Sequence, residues 1–202
     1  FRRVLFRSRQ DRVHNHWIPA FDEARKPIIA SIHGYCLGGG LEISLACDLR
    51  FAAEDAQIGL PEVSQGTVTG AGASQRLPRV VGVGRALDIM LTGERMSAQD
   101  ALKIGLVSRV FGRDRLQAET QRVAELIAGR APLAVLFVKE LIRKGSELPL
   151  AEGMKMEIDV LTHLLGTEDR AEAGAAFREK RKPVFKGRRS EEHTSELQSR
   201  GL

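Results

Sequence analysis

Cysteine is scarce: Cys36 and Cys47 are the only two among 202 residues. Two thiols give neither a disulfide framework nor the paired spacing of a zinc site. A disulfide-stapled secreted domain and a zinc module are therefore unsupported, and a reducing compartment such as the cytoplasm fits. Both are read as small buried residues. Long apolar runs are missing too, since no stretch approaches the roughly 20 residues that carry a helix across a bilayer. There is no internal repeat and no low-complexity linker, and positive charge is not gathered into one block. The net charge of +5 is accordingly a weak pointer to an anionic partner. What is present is an ordinary globular composition, 43% hydrophobic and 28% charged, on a chain long enough for one sizeable core.

The two ends stand apart. Residues 1–8, FRRVLFRS, are too short for a signal peptide and have no apolar centre. The tail from Arg189, RSEEHTSELQS, has no periodicity and no relation to the helix before it. It matches the translation of a common DNA-sequencing adapter, AGATCGGAAGAGCACACGTCTGAAC, and the reverse complement of that string reads FRRVLFRS. One adapter on opposite strands accounts for both, so residues 1–8 and 189–202 are set aside as non-native. Without them the net charge falls to +3. The remaining chain opens inside a helix-like pattern with no start methionine, and is expected to be an N-terminally truncated reading frame.

Within residues 10–25, Val13, Trp17 and Phe21 recur at a helical spacing, with Pro19 expected to bend or restart the helix. Ile28–Ile32 reads as a short buried strand. Gly34–Gly40 follows as a glycine-rich turn into an apolar helix over Leu41–Cys47, and Asp48–Ala53 reads as a second strand. Strand, glycine loop, helix, strand is the rhythm of an α/β core. An irregular stretch, Gly59–Gly72, leads to a helix starting near Ala73. Beyond it the pattern predicts helices at 83–92, 97–104, 114–128, 132–145, 150–165 and 168–181, with Leu106–Phe111 as a strand. Ser97 with Asp100 resembles a capping box, Pro132 suits a first helical turn, and Thr167 reads as an N-cap. Residues 9–95 are read as α/β core with the active-site loops, and 96–188 as a helical C-terminal region.

A glycine-rich turn between strand and helix lets a ligand approach the backbone, and the free amides at the helix start favour an anion or a developing oxyanion. The dinucleotide pattern fails in both glycine loops, because Ile43 and Gln75 stand where its third glycine would be. No Gly-Lys-Ser/Thr follows either loop, so a phosphate-loop NTPase is unsupported. Glu42, flanked by Leu41, Ile43 and Leu45, should be partly desolvated, which suits acid/base work. Glu62, after Pro61, is a candidate partner, since two carboxylates in unlike environments can divide the roles of acid and base. Spacing alone leaves a plainer reading open: a solvated first-turn glutamate near a helix dipole, plus a turn glutamate.

The segment IASIHGYCLGGGLEISLACDL, Ile29–Leu49, resembles the signature of the crotonase (enoyl-CoA hydratase/isomerase) superfamily. AQIGLPEVSQGTVTGAGASQRLPRVVG (Ala56–Gly82) is similar to its second active-site segment. LTGERMSAQDALKIGLVSRV (Leu91–Val110) and EKRKPVFKGR (Glu179–Arg188) resemble the usual continuation. Together they cover nearly all of residues 10–188.

The resemblance implies a partial ClpP/crotonase-like ββα superhelix, α/β in class, with a C-terminal helical trimerisation region. It implies hydration of trans-2-enoyl-CoA to 3-hydroxyacyl-CoA, as in fatty-acid β-oxidation. Glu42 would activate water, Glu62 would deliver a proton to the α carbon, Gly39 would donate its amide to the thioester oxygen, and Gly70 would help order the water. A double-bond isomerase or acyl-CoA hydrolase of the same superfamily, and a non-catalytic or RNA-binding homologue, are the alternatives. Coenzyme A enters as part of the substrate, with no separate cofactor and no metal. The implied assembly is a homotrimer or a dimer of trimers, with no membrane and no nucleic-acid partner.

Some residues carry less. Lys182, Lys186 and Arg188 can be read as contacts to CoA phosphates or as a solvated basic end. His33 is a strand-end residue rather than a proton shuttle, and His14 with His16 makes a poor metal site. The stripe of Met154, Ile158, Leu161 and Leu165 is read as core or subunit contact. Thr69 stands where family members often have proline before the glycine. The family's second oxyanion amide lies upstream of Arg9, and loss of one such donor costs roughly 2.7–4 kcal/mol of transition-state stabilisation. The 202-residue chain is therefore expected to turn over enoyl-CoA more slowly than a version extended upstream. Equal rates for the two would refute that expectation.

Overall fold

A computed structural model describes residues 17–188. Both adapter-like ends, His14, His16 and the first half of the expected 10–25 helix lie outside the described residues. Two compact units divide the chain, one ending at Gln121 and the other beginning at Arg122.

In the first unit, α1 (Trp17–Glu23) leads into β1 (Ile29–Ile32). Gly34, at φ 61°, turns the chain into β2 (Tyr35–Leu37). Helix α2 (Gly39–Ala46), β3 (Leu49–Ala53) and β4 (Gln57–Gly59) follow. A 3-10 helix spans Pro61–Gln65. Then come α3 (Ala73–Val81), α4 (Val83–Thr92), β5 (Met96–Ser97), α5 (Ala98–Lys103) and β6 (Arg109–Phe111). From β1 to β4 successive strands go to alternate sheets, and β5 then stays in the sheet of β4. One sheet has the order β1-β3-β6 and is wholly parallel. The other has the order β2-β4-β5, with β2 parallel to β4 and β5 antiparallel. Strand to one sheet, strand to the other, then helix is the ββα repeat the resemblance implies.

Two expectations need correction. Tyr35–Leu37 is a strand and not part of one long glycine turn, because it pairs with Gln57–Gly59, and three residues are too few to register a period of two. Of Leu106–Phe111 only the last three residues form a strand. Leu106 and Val107 are apolar because they are buried, and their amides bond instead to the Ala101 carbonyl.

Leu41 and Leu45 of α2 join Ile58, Leu60, Leu77, Leu106 and Val107 in a continuous core. Burying each leucine contributes about 2 kcal/mol, which holds α2 against the sheets. Arg50 closes the other end of that helix. Its guanidinium donates to the carbonyls of Ser44 (3.2 Å), Cys47 (3.0 Å) and Leu106 (2.8 Å), placing a cation where the helix dipole is negative. Cys36 and Cys47 are buried thiols that form no disulfide.

The second unit is helical. The last turns of α6 (Leu116–Ala128) lead to α7 (Pro132–Gly145), α8 (Leu150–Leu165) and α9 (Glu168–Arg178). α7 and α8 pack together, with Phe137 edge-on to His163 at 5.4 Å. Thr167 caps α9 by accepting from the Arg170 amide, and Ser97 caps α5 from the same position relative to Asp100. The segment after α9 folds back on it. Lys186 and Gly187 donate their amides to the buried Asp169, and Arg181 forks onto Glu172 and holds its carboxyl down to about 2. Met154, Ile158, Leu161 and Leu165 are each more than half exposed, so the stripe is not core within this chain.

Replacing Arg50 by leucine leaves three carbonyls without their charged donor. It is expected to cost about 2 kcal/mol in urea unfolding, whereas a loss under about 0.5 kcal/mol would show that the guanidinium is dispensable.

Candidate active site

The site starts from a register. Leu37 of β2 pairs with Gly59 of β4, and the Gly38 amide extends the ladder by donating to the Gly59 carbonyl at 3.0 Å. Both strands run the same way, so what leaves one end of the pair is Gly38-Gly39 beside Leu60-Pro61-Glu62. Ligands in α/β folds gather at such carboxyl ends of parallel strands. Gly38 has φ 53°, and a Cβ there would lie 3.0 Å from Glu62 Oε1, so only glycine admits the carboxylate this close. Gly59 meets the second limit: a Cβ on it would come within 2.8 Å of the Glu94 carbonyl.

The resulting cavity holds about 640 Å³ and includes Gly39, Glu62, Ser64, Gln65 and Arg95 in its wall. Gly39 is the first residue of α2, so its N–H has no acceptor within the helix and carries partial positive charge. Arg95 lies over the exposed Tyr35 ring at 5.3 Å.

Glu42, one turn into α2, is buried. Its Oε1 accepts from the backbone amides of Ala71 (2.6 Å) and Ala73 (3.3 Å). These donors come from the start of α3, where Gly72, at φ 97°, turns the chain inward. Two amides of one rigid segment fix the orientation of the carboxylate. Glu62 stands differently. Burial pushes its carboxyl above the usual range, offset in part by a backbone hydrogen bond and reinforced by the charge of Glu42. Its Oε2 is buried with no protein hydrogen-bond partner, and the only other such side-chain atom among the described residues is Thr69 Oγ1. One carboxylate is thus held by amides and the other keeps its proton above the usual carboxylate range, unlike environments that suit acid/base chemistry.

Of the sequence-predicted residues, Gly39 and Glu62 share the cavity, and Glu42 lies close enough for its charge to act on Glu62. Gly70 adjoins Ala71 in the loop that holds Glu42 but does not line the cavity. Lys182 and Lys186 belong to the second unit. Lys182 is exposed, and Lys186 reaches Glu168 at 3.8 Å. His33 is exposed and outside the cavity wall. Sequence reasoning missed Ala71 and Ala73, which act through backbone that any residue type carries, and Arg95, which no local pattern marks. Among the described residues no group of three or more His, Cys, Asp or Glu could hold a metal, and no helix is long and apolar enough to cross a membrane.

The raised Glu62 pKa fixes a sign. Below the ordinary value of 4.5 the carboxyl is protonated folded or unfolded and costs nothing. As pH rises through the folded-state pKa, the charge is forced into a desolvated place and stability is lost. Glu62→Gln is therefore expected to match the parent in unfolding free energy near pH 4 and to exceed it by neutral pH. A constant difference across that range would contradict the burial assigned to Glu62.

The enoyl-CoA hydratase/isomerase family profile matches residues 7–188. A probable enoyl-CoA hydratase of Rhizobium meliloti (strain 1021) is 46% identical over 165 residues, 82% of this chain and 64% of the relative. The mitochondrial enoyl-CoA hydratase of Pongo abelii is 42% identical over 171 residues, 85% of this chain and 59% of the relative. A crystal structure of enoyl-CoA hydratase from Bacillus anthracis superposes with a TM-score of 0.82 at 44% identity, over 84% of this chain and 66% of that one. The chain thus spans roughly three-fifths of the length of the curated relatives it matches. Sequence and fold agree, and the chain belongs to the enoyl-CoA hydratase/isomerase family, with the crotonase fold.

Proposed function

We propose that this chain carries the reacting groups of a hydratase that adds water to trans-2-enoyl-CoA and yields 3-hydroxyacyl-CoA. The observation that carries this reading is the pair of unlike carboxylates, Glu42 held by amides and Glu62 with a raised pKa, beside the free amide of Gly39. The hydratase names of the relatives support it.

In the proposed reaction the thioester oxygen accepts a hydrogen bond from the Gly39 N–H, which draws electrons from the C2=C3 bond. Glu42 takes a proton from water as the water oxygen bonds to C3. The π electrons move to C2, which takes the proton of Glu62. Water is added, Glu42 ends protonated, Glu62 ends ionised, and exchange with solvent resets both. Gly70 would order the water, and Lys182 and Lys186 would meet the CoA phosphates. The exposed stripe on α8 would serve assembly into a homotrimer or a dimer of trimers. Coenzyme A is part of the substrate, and no other cofactor is invoked.

Incubation with crotonyl-CoA should remove the enoyl-thioester absorbance and give 3-hydroxybutyryl-CoA. Glu42→Gln and Glu62→Gln should each lower kcat by about 10²–10⁴. Double-bond migration or thioester hydrolysis with no hydration product, or an undiminished rate in either variant, would overturn the reading.

A further inference from the structure

We propose that the Thr69 hydroxyl is a positioning group for the attacking water. This deepens the hydratase reading and rests on it. Among the described residues two buried side-chain oxygens lack a protein hydrogen-bond partner, Glu62 Oε2 and Thr69 Oγ1. A buried hydroxyl left without a partner costs about 1–3 kcal/mol, so folded proteins keep one mainly where a ligand or water completes it. One of these two atoms belongs to a proposed reacting group, and the other lies in the loop whose ends bond to the two glutamate residues. The Thr67 amide donates to the Glu62 carbonyl at 3.2 Å, and the Ala71 amide donates to Glu42 Oε1 at 2.6 Å. Thr69 is the midpoint of that span, so its Cα lies within about 7 Å of the Cα of either end residue. Thr69 thus sits midway along the loop that runs from the main-chain carbonyl of Glu62 to the amide that holds the Glu42 carboxylate.

A hydroxyl there offers what ionised Glu42 cannot, and leaves the Glu62 proton for C2. When ionised, Glu42 only accepts, and it takes one proton of the water. The water's second proton and lone pairs remain to be oriented toward C3, and a threonine hydroxyl both donates and accepts. Thr69 takes no proton in the net reaction: the C3–O bond forms, Glu42 gains the water proton, and C2 gains the Glu62 proton. Its contribution is to hold the water along the line of attack.

The two halves of the chemistry can be read separately. Hydration of crotonyl-CoA, followed in single turnover with the 202-residue chain in excess, requires a positioned water. Exchange of the C2 hydrogens of butyryl-CoA in deuterium oxide requires only Glu62 and the Gly39 amide. Thr69→Val, nearly equal in shape, should slow hydration about tenfold, the equivalent of one hydrogen bond. It should leave C2 exchange and thermal stability within twofold and about 2 °C of the parent, and Thr69→Ser should restore hydration. If Thr69→Val hydrates at the parental rate, or slows both reactions alike, the inference fails while the hydratase reading stands. A parental chain that exchanges C2 hydrogens but never hydrates overturns both.

Discussion

The pairing of β2 with β4 is the interaction on which the site depends. Three residue pairs align Leu37 with Gly59, and the Gly38 amide adds one more bond to the Gly59 carbonyl. Strands in parallel emit their loops at the same end, so the Gly39 amide and the Glu62 carboxylate meet although 23 positions separate them in sequence. A slip of one residue would turn every side chain of β2 to the other face and move Gly38 from beneath Glu62, where a Cβ would stand only 3.0 Å from the carboxylate. The apolar contacts of Leu41, Ile58 and Leu60 resist that slip. Packing and chemistry are thus specified by the same few residues.

Around this frame the two carboxylates are differentiated by what surrounds them. Glu42 is buried but met by two backbone donors from the start of α3. Glu62 is less deeply buried, yet its Oε2 finds no donor in the protein, and desolvation lifts its pKa. For Glu62 desolvation outweighs the one backbone hydrogen bond that opposes it. The Glu42 carboxylate, with two fixed donors, is ready to receive a proton without reorganising.

Much of this was legible in residues. Helices over 132–145 and 150–165 follow from clean apolar periodicity bounded by Pro132 and by turn signals, and both have those bounds in the fold. Ser97 and Thr167 announce their caps by chemistry local to three residues. Glu42 and Glu62 stood out because charge is uncommon beside leucine, isoleucine and a glycine loop. The short strands did not announce themselves. β2, β4 and β5 have three, three and two residues, and their identity comes from partners far along the chain. Leu106 and Val107 looked like strand for the opposite reason, since burial under α5 selects the same residue types as a sheet. The amides of Ala71 and Ala73 were invisible because every residue but proline carries one.

The second unit raises a different physical question, that of where its core lies. Met154, Ile158, Leu161 and Leu165 recur at four, three and four residues along α8, which puts them on one face, and each is more than half exposed. Leu150 on the same helix and Val138 and Ile142 on α7 are exposed as well. Fully covering a side chain of this size returns roughly 1.5–3 kcal/mol, and with a little over half of each still exposed the four-residue stripe represents roughly 3–7 kcal/mol, comparable with the lower end of the total stability of an ordinary domain. Helix propensity cannot replace that term, because isolated helices of this length are marginal in water. A face of such value along one helix is what a subunit interface needs, and under the assembly proposed above it would make the helical region a shared core, stable to the extent that copies associate. Chemistry in the first unit and cohesion in the second would then be separate properties of the chain, the one set by a strand register and the other by concentration.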